Sequence, residues 1–288
     1  MKNNNDSNLI RSKLKKIKDK SIDKLRILTV IFAVFIAFFP FLWILMTSFK
    51  LPGEIQSLPP SIIFRPTLVN FQAIIDENFF KYLRNSIILT TSGVSLSMLL
   101  GVPAAYGLSK LKIPFKNGIL FFILTLRFVP YIVFAIPIFM IFVELGLVGT
   151  RIGIIFVYIL INLPLITWLM KNFFDEIPEE LADAAKVDGA NIFQIFYKVY
   201  LPNSKAGIAC VLILSFVFTW NEYLFALILS GREAQPLTVG LTQFLGGIEY
   251  GVQWGALSAW SFSLVFPVVT ISLFVNKYLR KGFAGGMS

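Results

Sequence analysis

Apolar residues in this chain come in six long runs separated by polar intervals of unequal length. The first, Ile27 to Phe49, is 23 residues without a charge. At 1.5 Å per helical residue, that length crosses a hydrocarbon layer of roughly 30 Å. The other runs lie within Asn85–Ser109, Asn117–Leu145, Ile152–Met170, Ala206–Ser230 and Gly255–Asn276. The pattern predicts an all-α polytopic membrane protein with six transmembrane helices. An even number of spans puts both termini on one side of the membrane.

One polar interval differs from the rest. Ile177 to Pro202 is the longest polar segment between apolar runs, and it reads as two short helices joined by a turn. Pro178 suits the start of the first, with Glu179 and Glu180 in the turn where the helix dipole favours negative charge. Leu181, Ala184 and Ala185 then share a face. Asp188-Gly189 is expected to break that helix, because glycine accepts positive φ at little cost. Asn191 followed by Gln194 has the spacing of a capping box for the second helix. The expected apolar face of that helix is Ile192, Ile195, Phe196 and Val199.

Composition agrees with a membrane protein. The 288 residues are 56% hydrophobic and only 15% charged, with a mean hydropathy of +0.75. A soluble domain carries about 25% charged residues. One Cys and no His exclude a disulfide framework, a cysteine-rich metal site and His-based catalysis. The net charge of +10 would suit nucleic acid, but its placement follows membrane topology instead. Of the 26 Lys and Arg residues, nineteen fall on the side of the two termini and six on the other, with Arg127 inside a span. Positive charge marks the cytoplasmic side. The termini and the 177–202 segment are therefore expected in the cytoplasm.

The segmentation is then a basic cytoplasmic arm at 1–26, flexible or interfacial, and a first span at 27–49. An outer loop at 50–82 follows, then a core at 83–277 and a cytoplasmic tail at 278–288. A signal peptide is not expected, since the first apolar run is too long and no small-residue cleavage site follows it.

No catalytic constellation is present. The G-x-x-x-x-G-K-[ST] phosphate loop, a G-x-S-x-G elbow and a TVGYG filter are all absent from the sequence. What remains are polar groups inside spans, which are costly in lipid and so mark candidate sites. Arg127 lies about ten residues from the cytoplasmic end of its run, roughly 15 Å deep. Asn162 has a similar depth, and Asn221 and Glu222 lie somewhat further out. These four are candidates for an aqueous translocation path. The alternative is an Arg127–Glu222 or Arg127–carbonyl clamp that only fixes helix packing. Gly93, Ser97, Gly101 and Ala105, four residues apart, read as a close helix–helix contact. Pro130, Pro137, Pro164 and Pro267 predict kinks.

The 177–202 segment also carries a resemblance. Asp183-Ala184-Ala185, three residues, Gly189, nine residues, Val199, one residue, Leu201-Pro202 resembles the EAA loop of ABC importer permeases, with Asp for Glu and Val for Ile. AAYGLSK after the second run, Arg127 with Pro130 and Pro137, WNEYLFALIL at Trp220–Leu229 and PLTVGL at Pro236–Leu241 narrow the likeness. Together they are similar to the smaller permease subunit of maltose-type carbohydrate importers, over roughly Asn70 to the C-terminus.

The resemblance implies a type I ABC importer permease fold in a bacterial or archaeal cytoplasmic membrane. It implies a transporter subunit rather than an enzyme. The implied partners are a second homologous permease, two ATPase subunits that hold ATP and Mg, an extracytoplasmic sugar-binding protein and the sugar itself. No cofactor or metal on this chain and no nucleic acid are implied. The implied coupling residues are Glu180, Leu181, Asp183, Ala184, Ala185, Asp188, Gly189, Phe193, Leu201 and Pro202. In the loop between the fifth and sixth spans, Gln243, Gly246, Gly247 and Tyr250 are the implied contacts to the binding protein. The tail is the implied second contact to the ATPases. A permease for a non-sugar solute, and an ATP-independent secondary transporter or channel, are the competing expectations.

Overall fold

The computed structural model describes residues 3–246 and 251–284, and within them all regular structure is helical. The elements are α1 (Asn3–Ser48), α2 (Pro52–Ile55), α3 (Val69–Asp76), α4 (Phe79–Lys110), α5 (Lys116–Phe128), α6 (Tyr131–Glu144) and α7 (Arg151–Asp175). They continue as α8 (Glu179–Val187), α9 (Ile192–Ile195), a π-turn over Phe196–Tyr200, α10 (Leu201–Asn203), α11 (Lys205–Trp220), α12 (Leu224–Leu229), α13 (Leu237–Gly240) and α14 (Trp254–Ala284). Four helices are long and apolar enough to cross a membrane alone, and the number rises to six if two bent helix pairs each count as one span.

Helices α4 and α7 form the centre of the packing. The small-residue stripe makes this possible. A Cβ on Gly93 would lie 2.8 Å from Tyr158 Cβ, and one on Gly101 would lie 2.7 Å from Ile166 Cγ2. Ser97 and Ala105 are buried in the same seam. Small side chains let the two backbones approach, so that dispersion contacts replace a hydrophobic effect that lipid does not supply.

Three departures from the sequence expectation stand out. The basic arm is continuous with the first span, and Asn3–Ser48 is one helix. From residue 23 to Trp43 that span is exposed, and only its end, at Thr47 and Ser48, is buried. The third apolar run is not one helix. It bends by 97° between α5 and α6. Pro130 lacks an N–H and pushes the preceding residue out of the helical region, and Val129 accordingly sits at φ −73°, ψ 126°. The fifth run also breaks, at Asn221–Tyr223 between α11 and α12. Here no proline is involved. The Glu222 carboxylate takes over the role of the missing carbonyls, accepting from Phe225 N at 2.8 Å and Ala226 N at 3.0 Å.

The end of the bundle opposite the 177–202 segment is held by polar ties. Asn70 Nδ2 donates to the carbonyls of Ser48 (3.0 Å) and Lys50 (2.7 Å), which fixes the end of α1 against α3. Asn85 Nδ2 donates to Glu233 O and Gln235 O, and Arg151 Nε donates to Asn85 Oδ1. Trp260 is fully buried and donates from Nε1 to Leu237 O at 2.8 Å, seating α14 against the 231–245 loop.

Candidate coupling loop and translocation path

The 177–202 segment folds as two short helices around a glycine turn. Pro178 caps α8 from outside, at φ −55°, ψ 137°, and Glu179 and Glu180 occupy the first turn. Gly189 has φ +80°, and no atom lies within 4 Å of where its Cβ would be. The glycine therefore answers a backbone need rather than a crowding need. Asn191 and Gln194 form the reciprocal capping box, both bonds at 2.9 Å.

Two faces emerge. The inner face is Ala182, Ala185, Ile195, Phe196, Val199, Leu201 and Tyr200, packed with Tyr106, Met170 and Phe174. Tyr106 is the hub, its ring centroid 4.9 Å from Phe196 and 5.1 Å from Tyr200. The outer face carries large apolar groups in the open. Val187 is 87% exposed and Phe193 75%, with Leu181, Ile192 and Tyr197 also exposed.

This corrects the face read from spacing alone. Ala185 turns partly inward, Ile192 turns outward, and Ala182 is the buried alanine of α8. Asp183, Ala184, Asp188 and Pro202 are exposed. Asp183 accepts from Lys186 at 2.7 Å, and that bond raises the Lys186 ammonium above its usual range.

The loop is anchored to the membrane helices by short polar bonds. Lys110 Nζ donates to Ile177 O at 3.1 Å and lies 5.3 Å from the Tyr200 ring centroid. Ser109 Oγ donates to Asp175 Oδ1 at 2.5 Å, and Lys171 pairs with the other carboxylate oxygen. None of these anchors carries a sequence signal beyond a basic residue near a span end.

Deeper in the chain, the two broken runs meet. A cavity of about 360 Å³ is lined by Arg127, Tyr131, Ile161, Asn162, Phe218 and Glu222, among others. The Arg127 guanidinium stacks 4.8 Å from the Phe218 ring centroid and hydrogen-bonds the Tyr131 hydroxyl. Asn162 Nδ2 donates to Tyr158 O and Thr219 Oγ1, both at 2.7 Å, which ties α7 to α11.

Arg127, Asn162 and Glu222 are therefore brought together. Asn221 is not. It is exposed, and its amide donates back to Val217 O at 2.8 Å. The Arg127–Glu222 clamp does not form among the described residues, because the carboxylate is bonded to the amides that start α12. Tyr131 and Phe218 were missed from sequence, since an aromatic in an apolar run is indistinguishable from core. The signal available was their position beside the helix breaks.

On the outer loop, Gln243 and Gly246 are exposed, with Gly246 at φ +72°, and Phe244 is buried against Trp260. Gly247 and Tyr250 lie outside the described residues.

Known proteins resemble this chain in sequence and in fold. The chain is 34% identical over 251 residues to the diacetylchitobiose uptake system permease protein NgcG of Streptomyces coelicolor, covering 86% of this chain and 82% of that protein. It is 31% identical over 273 residues to the trehalose/maltose transport system permease protein MalG of Thermococcus litoralis, covering 91% and 96%. A crystal structure of a bacterial ABC transporter involved in the import of the acidic polysaccharide alginate aligns with a TM-score of 0.74. The identity is 25%, over 91% of this chain and 97% of that one. Residues 97–283 match the family described as binding-protein-dependent transport system inner membrane component. This chain belongs to that family, the membrane permeases of ABC transporters.

Proposed function

We propose that this chain is one permease subunit of an ATP-driven importer that carries a mono- or oligosaccharide across a bacterial or archaeal cytoplasmic membrane. Its partners are a second homologous permease, two ATPase subunits and an extracytoplasmic sugar-binding protein. ATP and Mg bind on the ATPase subunits. Both termini face the cytoplasm, as the distribution of Lys and Arg indicates.

The observation that carries this reading is the two-faced loop at 177–202. Its inner face is locked to α4 and α7 through Tyr106, Phe174 and Lys110. Its outer face presents Leu181, Val187, Ile192 and Phe193 beside the carboxylates of Glu179, Glu180, Asp183 and Asp188. A helix lying on lipid carries Lys or Arg on its polar face. An acidic rim around exposed apolar groups suits a protein cleft instead. Motion of a docked ATPase would then pass through a rigid joint into the helices around the path.

The cavity at the two helix breaks supports the path. Broken helices leave backbone groups free, and such breaks in transporters line substrate sites. An aromatic face, a guanidinium, an amide and a carboxylate together match a polyhydroxylated solute, since aromatic surface takes the sugar's C–H face and the polar groups take hydroxyls. The named relatives for diacetylchitobiose, for trehalose and maltose and for alginate support a carbohydrate.

The test is co-expression with the candidate ATPase and second permease, followed by purification and reconstitution. ATP-dependent sugar uptake that requires the binding protein is expected. Uptake driven by an ion gradient without ATPase would overturn the proposal.

A further inference from the structure

One cavity among the described residues has no part in the proposed path. It measures about 610 Å³ and lies between the end of α1 and the start of α14, under the 51–64 loop. Its walls include Trp43, Ile44, Thr47, Lys50, Glu54 and Trp254. Both helices are candidate spans, ending at Ser48 and beginning at Trp254, so the cavity sits at the membrane–water boundary and reaches into the membrane.

Lys50 is the unexplained residue. A lysine at a span end ordinarily snorkels, keeping its ammonium in water. Lys50 is only 2% exposed. Its Nζ lies 4.9 Å from the Trp43 ring centroid and 5.2 Å from that of Phe64. Aromatic faces attract a cation but offer no lone pair to its N–H donors. Among the described residues, no carboxylate lies within ion-pair distance of it. Burying an ammonium in this way is costly unless an anion completes the site.

The cavity wall also carries the opposite charge, at Glu54. Glu54 Oε2 accepts from Leu51 N at 3.1 Å, which leaves the carboxylate with spare acceptor capacity toward the cavity. Ser258 and Ser261 add hydroxyls on α14. The rest of the wall includes apolar groups, among them Trp43 and Ile44 of α1, a helix whose described residues up to Trp43 are exposed. A cation and an anion above an apolar channel open to lipid match one amphiphile with a zwitterionic head.

We propose that this cavity binds a single glycerophospholipid of the ethanolamine class from the leaflet on the Lys50 side. Lys50 takes the phosphate, Glu54 takes the primary ammonium, and the acyl chains run along α1.

The test uses the complete purified transporter, stripped of lipid and examined by native mass spectrometry. The lipids added are dioleoyl-phosphatidylethanolamine, -choline or -glycerol. One lipid per copy of this subunit is expected, with ethanolamine favoured over choline, whose trimethylammonium donates no hydrogen bond. Lys50→Met is expected to weaken binding about tenfold or more, as loss of a charge-assisted bond does. Glu54→Gln is expected to abolish the preference for ethanolamine while leaving phosphate-dependent binding. Should Lys50→Met fail to assemble, Ser261→Phe fills the cavity with Lys50 intact and is expected to exclude the lipid. Equal retention by wild type and the cavity-filling variant would overturn the site. Equal binding of ethanolamine and choline lipids would overturn the headgroup assignment. Competition by water-soluble glycerophosphoethanolamine at equal affinity would show a free phosphate-ester site rather than a lipid one.

Discussion

Lys110, the last residue of α4, reaches the carbonyl of Ile177, the residue from which the 177–202 segment begins, at 3.1 Å. The same ammonium lies over the Tyr200 ring near the end of that segment. One side chain thus joins both ends of the loop to a membrane helix. Lys110→Met is expected to leave ATPase activity of the assembled complex while lowering uptake per ATP several-fold, because hydrogen bonds from charged groups contribute roughly 1.5–3 kcal/mol. Lys110→Arg keeps the charge and is expected to retain most coupling. Parallel ATPase and uptake assays in proteoliposomes check this. A loss of both activities together would point to misfolding instead.

Gly189 should not tolerate a side chain, although space is open around it. Its φ of +80° costs an L-residue about 1–2 kcal/mol, more for a β-branched one. Gly189→Val is expected to keep the protein in the membrane and to break its association with the ATPase. Ala184→Asp adds a fifth carboxylate to the exposed face of the first helix and is expected to act the same way. Pull-down of the ATPase by each variant reports the outcome, and wild-type recovery together with wild-type uptake would refute it.

Arg127→Met removes the cation from the path cavity but keeps a long apolar stem. Assembly and the membrane-inserted amount should stay normal, since no ion pair of Arg127 is lost. Uptake should fall by tenfold or more, equivalent to about 1.4 kcal/mol in the barrier. Initial-rate uptake against sugar concentration checks this, and an unchanged rate would show the cavity to be idle.

The α4–α7 seam predicts a stability effect of another kind. Gly93→Ala and Gly101→Ala each drive a methyl to within 3 Å of a neighbour, at Tyr158 and Ile166. Overpacking of this sort costs about 1–3 kcal/mol. Lower thermal stability of the detergent-solubilised protein is expected, with Gly118→Ala, where nothing lies within 4 Å, as the neutral control.

The bond from Lys81 Nζ, at 2.8 Å, holds the Glu233 carboxyl below its usual range. A depressed carboxylate stabilises the fold above its ordinary pKa and loses that contribution as pH falls through the lowered value. The pair is solvated, so the effect is small. Lys81→Met should return the Glu233 titration to the ordinary carboxylate range, measurable by isotope-edited infrared difference spectroscopy. An unmoved titration would break the assignment.

Membrane class, the approximate spans and the character of the coupling loop were legible in the sequence for simple reasons. Lipid demands continuous apolar helices, and one polar interval with a fixed motif stands out against them. The capping box of Asn191 and Gln194 and the turn at Gly189 are local, so spacing sufficed to find them. Which alanine of α8 faces inward was not local. Ala182 is buried because Tyr106 and Phe174 stand on that side, and they belong to other helices. The break at Asn221–Tyr223 has no proline to announce it. It depends on the Glu222 carboxylate folding back onto α12.

By itself, then, the sequence determined what hydropathy and short-range spacing determine: an all-helical membrane chain and a polar two-helix loop between two of its apolar runs. Tertiary structure decided what arises only when distant segments meet. It joined Arg127, Asn162 and Glu222 in one cavity while leaving Asn221 outside, and it closed Trp43 and Phe64 over Lys50. The physical reason is the same in both cases. Burial of a polar group is set by the neighbours that close over it, and these lie many residues away along the chain.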